Sequence, residues 1–281
     1  MRQRIIAALG ITALAATGLT ACGDDEPAAG GGSTGGDSIT IGIKFDQPGL
    51  GLKEGSNYTG LDVDVAKYVA KELGYADDKV EFKESPSAQR ETLLANSQVK
   101  MILATYSITD ARKEKVSFAG PYLGAGQDLL VKADNADITG PETLNGKKLC
   151  SVTGSTSAQK VADKYAKTVQ LQKYDTYSKC VEALSAGAID AVTTDNTILA
   201  GFASQAANQG KFKVVGKTFS EERYGVGLKK GDTETCTKVN DALKKMVDSG
   251  EWQKAFDKNI GPSGLKLDAA TNPPKTFDTC A

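Results

Sequence analysis

Apolar positions along the chain fall into three regimes. Residues Ile5–Ala21 are almost all apolar or small, and they follow a start, Met1–Arg4, that carries two arginines. A basic start, a short hydrophobic segment and small residues at its end predict a secretory signal over residues 1–21. The segment is a little short of the roughly 20 residues a spanning helix needs. Next, Gly23–Gly36, GDDEPAAGGGSTGG, has no apolar side chain larger than alanine and predicts a flexible tether. From Ile39 onward the pattern alternates between strand-like and helix-like runs.

Ile39–Ile43 is a short β-branched strand, followed by the Gly/Pro loop KFDQPGLGLKEGSNYTG. The helix LDVDVAKYVAKELG places Leu61, Val65, Tyr68, Val69 and Leu73 on one face and ends at Gly74. Val80–Phe82 reads as a strand, Ser87–Ala95 as a helix and Met101–Ala104 as a strand, a βαβαβ order that favours a mostly parallel sheet covered by helices.

A second set begins near Gly140. Strands are predicted at Lys148–Val152, Val169–Gln172, Ala188–Thr193 and Phe212–Val215, with helices at Thr156–Tyr165 and Tyr177–Ala186. The segment YGVGLKKGD reads as a further strand. It leads into a helix over Cys236–Ser249 and a short one around Trp252 and Phe256. Two α/β units in one chain imply two lobes with a cleft between them, where ligands commonly bind. Periodicity does not say whether the chain crosses between the lobes once or twice.

One stretch, MILATYSITDARKEKVSFAGPY, starts as a buried run and then turns polar, with Thr105 and Ser107 followed by Arg112. A solvated loop accounts for such a cluster, and so does a site for an anionic group, since a guanidinium suits a carboxylate.

Composition narrows the chemistry. Of the 34 basic residues, Arg2 and Arg4 lie within 1–21, which leaves 32 against 35 acidic residues and a formal charge of −3. Without a basic surplus, nucleic-acid binding is excluded. No histidine occurs, which removes Ser-His-Asp and Cys-His catalysis and the commonest transition-metal ligand. No metal or other cofactor is expected. Of the 5 cysteines, Cys150, Cys180, Cys236 and Cys280 follow the tether. An even number in an exported chain implies disulfides, with three pairings open.

Leu19-Thr20-Ala21-Cys22 resembles the lipobox of bacterial lipoproteins. That resemblance implies a lipid on Cys22, residues 22–37 as a linker, and a protein held at the outer face of the cell membrane. The segment GLDVDVAKYVAKEL is similar to the signature of the bacterial extracellular solute-binding proteins of family 3, the polar amino-acid receptors of ABC importers. SITDAR with VSFAGPY, LNGKKLCSVTGSTS, ALSAGAIDAVTTDNTILAG and ALKKMVDSGEWQKAFDKNIG resemble the same family in order, over about residues 38–262. KFDQPGLG is similar to glutamate-binding lipoproteins of Gram-positive bacteria.

The resemblance implies a periplasmic-binding-protein-like α/β fold with two hinge crossovers, at Gln127–Lys132 and about Ser220–Gly225. The first lobe would hold residues 38–128 and 222–281, and the second residues 129–221. On that division Cys150 pairs with Cys180 and Cys236 with Cys280, because a bridge across the cleft would obstruct closure. Arg112 would hold a ligand α-carboxylate, with Thr105 and Ser107 lining the pocket. The alternative for Arg112 is a surface ion pair with Asp110 or Glu114. Ser155 and Thr156, at a helix start, would add donors, or the two would only cap the helix. Asp195 would accept the ligand ammonium, or cap the helix NTILAGF. Asp190 is read as structural. Lys44 and Arg90 match positions that bind the side-chain carboxylate in glutamate and aspartate receptors, and Gln47 would point instead to an amide ligand.

The expected function is capture of an acidic amino acid, glutamate foremost, by cleft closure and its delivery to an ABC permease by a monomeric receptor. Glutamine or another polar amino acid is the alternative. An enzyme resembling cyclohexadienyl dehydratase would need a general acid–base pair in the cleft, and none is evident. A sensor lobe would need an output segment after it.

Overall fold

The computed structural model describes residues 38–280, apart from 166 and 167. The first half of the chain forms β1 (Ile39–Ile43), β2 (Asp46–Gln47), β3 (Gly51–Glu54), β4 (Asn57–Thr59), α1 (Leu61–Glu72), β5 (Val80–Glu84), α2 (Arg90–Ala95), β6 (Met101–Ile102), α3 (Asp110–Lys113) and β7 (Val116–Ala125). Then come β8 (Gln127–Lys132), β9 (Lys148–Val152), α4 (Thr156–Lys164), β10 (Gln170–Tyr174), α5 (Tyr177–Ser185), β11 (Ala191–Asp195), α6 (Asn196–Ser204) and β12 (Phe212–Val214). The chain closes with β13 (Glu222–Lys229), α7 (Thr233–Asp248) and α8 (Glu251–Asn259).

Two five-stranded sheets carry the two lobes, in the orders β5-β1-β6-β13-β7 and β10-β9-β11-β8-β12. β13 runs antiparallel to both β6 and β7, and β8 antiparallel to both β11 and β12. Each sheet is therefore parallel except for one strand, and that strand is the first after a crossing between sheets. The chain crosses at Gly126, between β7 and β8, and returns between β12 and β13.

Burial explains the sheet interiors. Ile39, Ile41 and Ile43 alternate into the first core, where Leu61, Val65 and Val69 of α1 meet them. Leu129, Val131, Leu149 and Ala191 fill one face of the second sheet with Val161 of α4. Trp252 of α8 is buried and donates its indole N–H to the Tyr122 carbonyl at 2.7 Å, which seats the C-terminal helices on the first lobe. Disulfides join Cys150 of β9 to Cys180 of α5, and Cys236 of α7 to Cys280.

Several boundaries differ from the sequence reading. Gln127–Lys132, expected at a crossover, is a strand of the second sheet, and its first five residues are buried. The loop after β1 contains a small antiparallel sheet, β2-β3-β4. β6 ends at Ile102 rather than Ala104 because the chain turns at Thr105, whose φ is 48°. α2 starts at Arg90, later than Ser87. β10 and β11 lie further along the chain than expected, and α7 starts earlier, at Thr233. The signal, Cys22 and the linker lie outside the described residues. Among the described residues, no helix is long and apolar enough to cross a membrane.

Candidate functional site

Two loops of the first lobe and the ends of several elements of the second converge on one small enclosed space. Ser87 comes from the loop before α2, Arg90 from its first residue, Thr105 and Ser107 from the loop after β6, and Arg112 from α3. Ser155 and Thr156 at the start of α4, Tyr177 of α5, and Thr194 and Asp195 at the end of β11 face them. Of the eight side chains expected here, seven line this space; Lys44 does not, although it is buried nearby. The lining side chains crowd together and leave only about 10 Å³ between them. The lobes stand closed on each other here, with Arg112 of the first touching Gly154 of the second.

Arg112 is placed by a short helix. The Thr109 hydroxyl accepts from Arg112 N–H at 3.3 Å and caps α3, turning the arginine back towards the cleft. Its Nη1 donates to the Ser107 carbonyl at 2.8 Å, and its Nη2 reaches the other lobe to donate to the Gly154 carbonyl at 3.2 Å. Its carboxylate neighbour is Glu91, 3.7 Å from Nε, and not Asp110 or Glu114. Arg90 donates through Nη1 to the Ala104 carbonyl at 2.9 Å, while its buried Nε has no hydrogen-bond partner. Both guanidiniums lie against the ring of Tyr106, at 4.1 Å for Arg90 and 4.9 Å for Arg112.

Thr105 occupies the left-handed region, a strained conformation for a β-branched residue. A carboxylate holds it there: the Thr105 N–H donates to Asp62 Oδ2 at 3.0 Å, and Tyr122 donates its hydroxyl to Asp62 Oδ1 at 2.6 Å. Burial pushes the Asp62 carboxyl up to about 6, against the pull of those two hydrogen bonds and of Arg90. The Thr105 hydroxyl lies 2.7 Å from the Ala104 carbonyl and 3.2 Å from Gln47 Oε1, both within reach of its single proton.

In the second lobe, Ser155 caps α4 by accepting from Ala158 N–H at 3.2 Å. Asp195 sits at the N-cap position of α6 but makes no side-chain capping bond. Its Oδ2 accepts instead from the Tyr224 hydroxyl at 2.6 Å, and its buried Oδ1 has no hydrogen-bond partner. Burial, with Glu222 next, pushes its carboxyl up to about 7. Asp190 Oδ2 accepts from the Lys148 N–H at 2.7 Å, a bond that ties β9 to the turn before β11.

Lys44 loses charge stabilisation to burial first and to Arg90 second, which lower its ammonium to about 8. Arg90 is lowered to about 10 by burial and by Arg112. Chemically the site is a pocket with cationic donors on one lobe and a carboxylate acceptor on the other. Among the described residues, no group of three or more His, Cys, Asp or Glu side chains is placed to hold a metal ion.

A family model for bacterial extracellular solute-binding proteins, family 3, matches residues 39–262. The chain belongs to that family. A glutamate-binding protein, GluB, of Corynebacterium glutamicum is 49% identical over 290 residues, covering 95% of this chain and 94% of the relative. The ABC transporter glutamine-binding protein GlnH of Bacillus subtilis is 38% identical over 227 residues, covering 80% of this chain and 81% of the relative. Among solved structures, an ancestral arginine-binding protein bound to arginine superposes with a TM-score of 0.73 at 36% identity, covering 80% of this chain and 98% of the other.

Within this family 3 protein, sequence reasoning passed over Asp62, Tyr106 and Tyr224, which hold Thr105, the two arginines and Asp195 in place. Asp62 carried a signal: an acidic residue at the buried start of an amphipathic helix, in the run Leu61–Val63 that is wholly buried. A buried carboxylate requires donors, and the loop after β6 supplies one.

Proposed function

We propose that this chain is the extracellular receptor of an ABC importer for an acidic amino acid, glutamate foremost. One observation carries the reading: Arg90 Nε of the first lobe and Asp195 Oδ1 of the second are both buried without partners at one closed cleft. A buried unpaired donor and acceptor are costly to a protein, and an amino acid supplies the complement of both. Arg112 would hold the α-carboxylate, Asp195 the ammonium, and Arg90 the side-chain carboxylate, with Lys44 contributing charge from behind the pocket. Thr105, Ser107, Ser155 and Thr156 would line it.

The identity to GluB supports glutamate. Gln47, buried beside Thr105, and the identity to GlnH favour glutamine as the second reading. Binding without turnover, a lipid on Cys22, a monomeric state and a hinge between a first lobe of residues 38–125 and 222–280 and a second lobe complete the proposal. A calorimetric panel of the natural amino acids against the purified protein tests it. Glutamate should bind tightest and be recovered unchanged. Tightest binding of arginine or lysine would refute the acidic reading.

A further inference from the structure

The first lobe touches the second at a place that no ligand needs to occupy. The loop between β2 and β3 is fixed to its own lobe at its base. Leu61 N–H donates to the Gly49 carbonyl at 3.0 Å and Asp62 N–H to the Leu50 carbonyl at 3.0 Å, so the first donors of α1 grip the loop. Gly60 permits this: at φ 120°, a Cβ there would stand 2.0 Å from the Leu50 carbonyl oxygen.

β2, the strand that leads into this loop, reaches across the cleft. Asp46 Oδ2 accepts from the backbone N–H of Ser178 at 3.1 Å and from its hydroxyl at 3.3 Å. Ser178 is the second residue of α5, and Thr176 of the second lobe caps only Lys179 N–H. The N-terminus of α5 is thus capped jointly, once from its own lobe and once by a carboxylate of the other. Two residues on, Pro48 lies against α6. A Cβ on Gly201 would stand 2.1 Å from the Pro48 carbonyl oxygen, and its three nearest neighbours would all be Pro48 atoms.

Gly201 has no local reason to be glycine. It lies in the interior of α6 with an ordinary negative φ, where alanine is the better helix former. What the missing Cβ permits is the seat for Pro48. We propose that Asp46 and Pro48, on either side of Gln47, form a clasp that holds the lobes closed through contacts outside the pocket, so that affinity is set partly away from the ligand. A receptor binds as tightly as its closed form allows, weighted by how readily that form is populated. The clasp raises that population whichever amino acid is bound, and in this it goes beyond the reading of glutamate as ligand.

The test compares the purified protein with Gly201→Ala, Asp46→Ala and Asp46→Asn. Small-angle X-ray scattering without ligand, thermal melting and L-glutamate calorimetry are measured on each. Gly201→Ala should melt no lower than the parent, show a larger radius of gyration, and bind L-glutamate about tenfold or more weakly. Asp46→Ala should weaken binding severalfold, and Asp46→Asn less, since an amide oxygen still accepts from Ser178 N–H. A parental radius and parental affinity for Gly201→Ala would overturn the clasp. Should that variant melt low, the Asp46 pair decides: Asp46→Ala matching the parent in radius and affinity overturns it equally. If the parent gives no heat with L-glutamate, the ligand reading fails, while the radii still decide the clasp.

Discussion

Tyr224 of β13 donates its hydroxyl to Asp195 of β11 at 2.6 Å, a bond that joins the two lobes at the floor of the cleft. It occupies one oxygen of the carboxylate and leaves the other, Oδ1, facing the pocket. The remaining oxygen is the acceptor proposed for the ligand ammonium, and its charge state governs the first prediction.

Burial raises Asp195 to about 7, so the carboxyl is protonated below that pH and charged above it. An ammonium binds the charged form. Glutamate affinity should therefore rise with pH through 7 and level off towards pH 8, with a proton released on binding at pH 6. Calorimetry in buffers of different ionisation heat measures both. Stability of the unliganded protein should run the other way. The folded pKa of Asp195 and of Asp62, at about 6, exceed the ordinary 3.8, so the native state holds extra protons between these values. Both groups then make stability fall as pH rises from about 4 to 7.

Arg112→Ala should cost two charge-assisted hydrogen bonds to the α-carboxylate, each worth about 1.5–3 kcal/mol. That is a loss of about a hundredfold or more in affinity. Circular dichroism should remain native, and near-parental affinity in calorimetry would remove the assigned role.

Arg90→Ala should weaken glutamate binding more than glutamine binding, because only glutamate offers a second carboxylate. Lys44→Ala should do the same to a smaller degree, about threefold, since Lys44 stands outside the pocket lining and acts through its charge. That charge carries its own pH signature. With its ammonium lowered to about 8, the glutamate preference should shrink above pH 8 in the parent and not in Lys44→Ala. Equal losses for both ligands would contradict the acidic selectivity.

The disulfides should differ in reach. Cys150 and Cys180, 30 residues apart, link a central strand to a helix within the second lobe. Their removal should cost about 3–4 kcal/mol in urea unfolding, the loop-closure value for that length. Cys236 and Cys280, 44 residues apart, fasten the C-terminal segment to α7. Their removal should first expose residues after Gly264 to proteolysis, with about 4 kcal/mol lost in urea unfolding by the same loop-closure relation.

Legibility followed period and local chemistry. The apolar runs of β1, β9 and β13 and the faces of α1, α5 and α7 were readable because each buries one side against a sheet. β7 was not read as a strand, because Gly120 and Pro121 interrupt it. In the fold Gly120 takes a positive φ, and β13 absorbs the interruption with a register shift between Tyr224 and Val226. The small sheet β2-β3-β4 is hidden by glycines that serve close backbone approach, Gly51 against Lys44 and Gly60 against Leu50. In the site, residues with an evident charge were nameable, and their supports were not. Tyr106 and Tyr224 look like core aromatics in sequence, and nothing in their spacing shows that one carries two guanidiniums and the other fills half of a carboxylate. The pairing of Arg112 with Glu91 is likewise a product of α2 and α3 meeting, 21 residues apart in sequence.

The two crossings also define a lever. Asp195 pairs with Gln127 and Tyr224 with Leu123, on either side of the Gly126 crossing, so the acceptor carboxylate sits beside the pivot. Arg112 of α3 with its reach to Gly154, and Asp46 of β2 with Ser178 of α5, join the lobes away from those two strand pairs. Rotation about an axis displaces each group in proportion to its distance from that axis. Groups beside the pivot keep their company while groups at the rim separate. On the proposed reading the receptor resembles a jaw whose back teeth stay in register: the acceptor proposed for the ammonium stands nearly finished at the fulcrum, and the swing of the outer contacts would complete the grip.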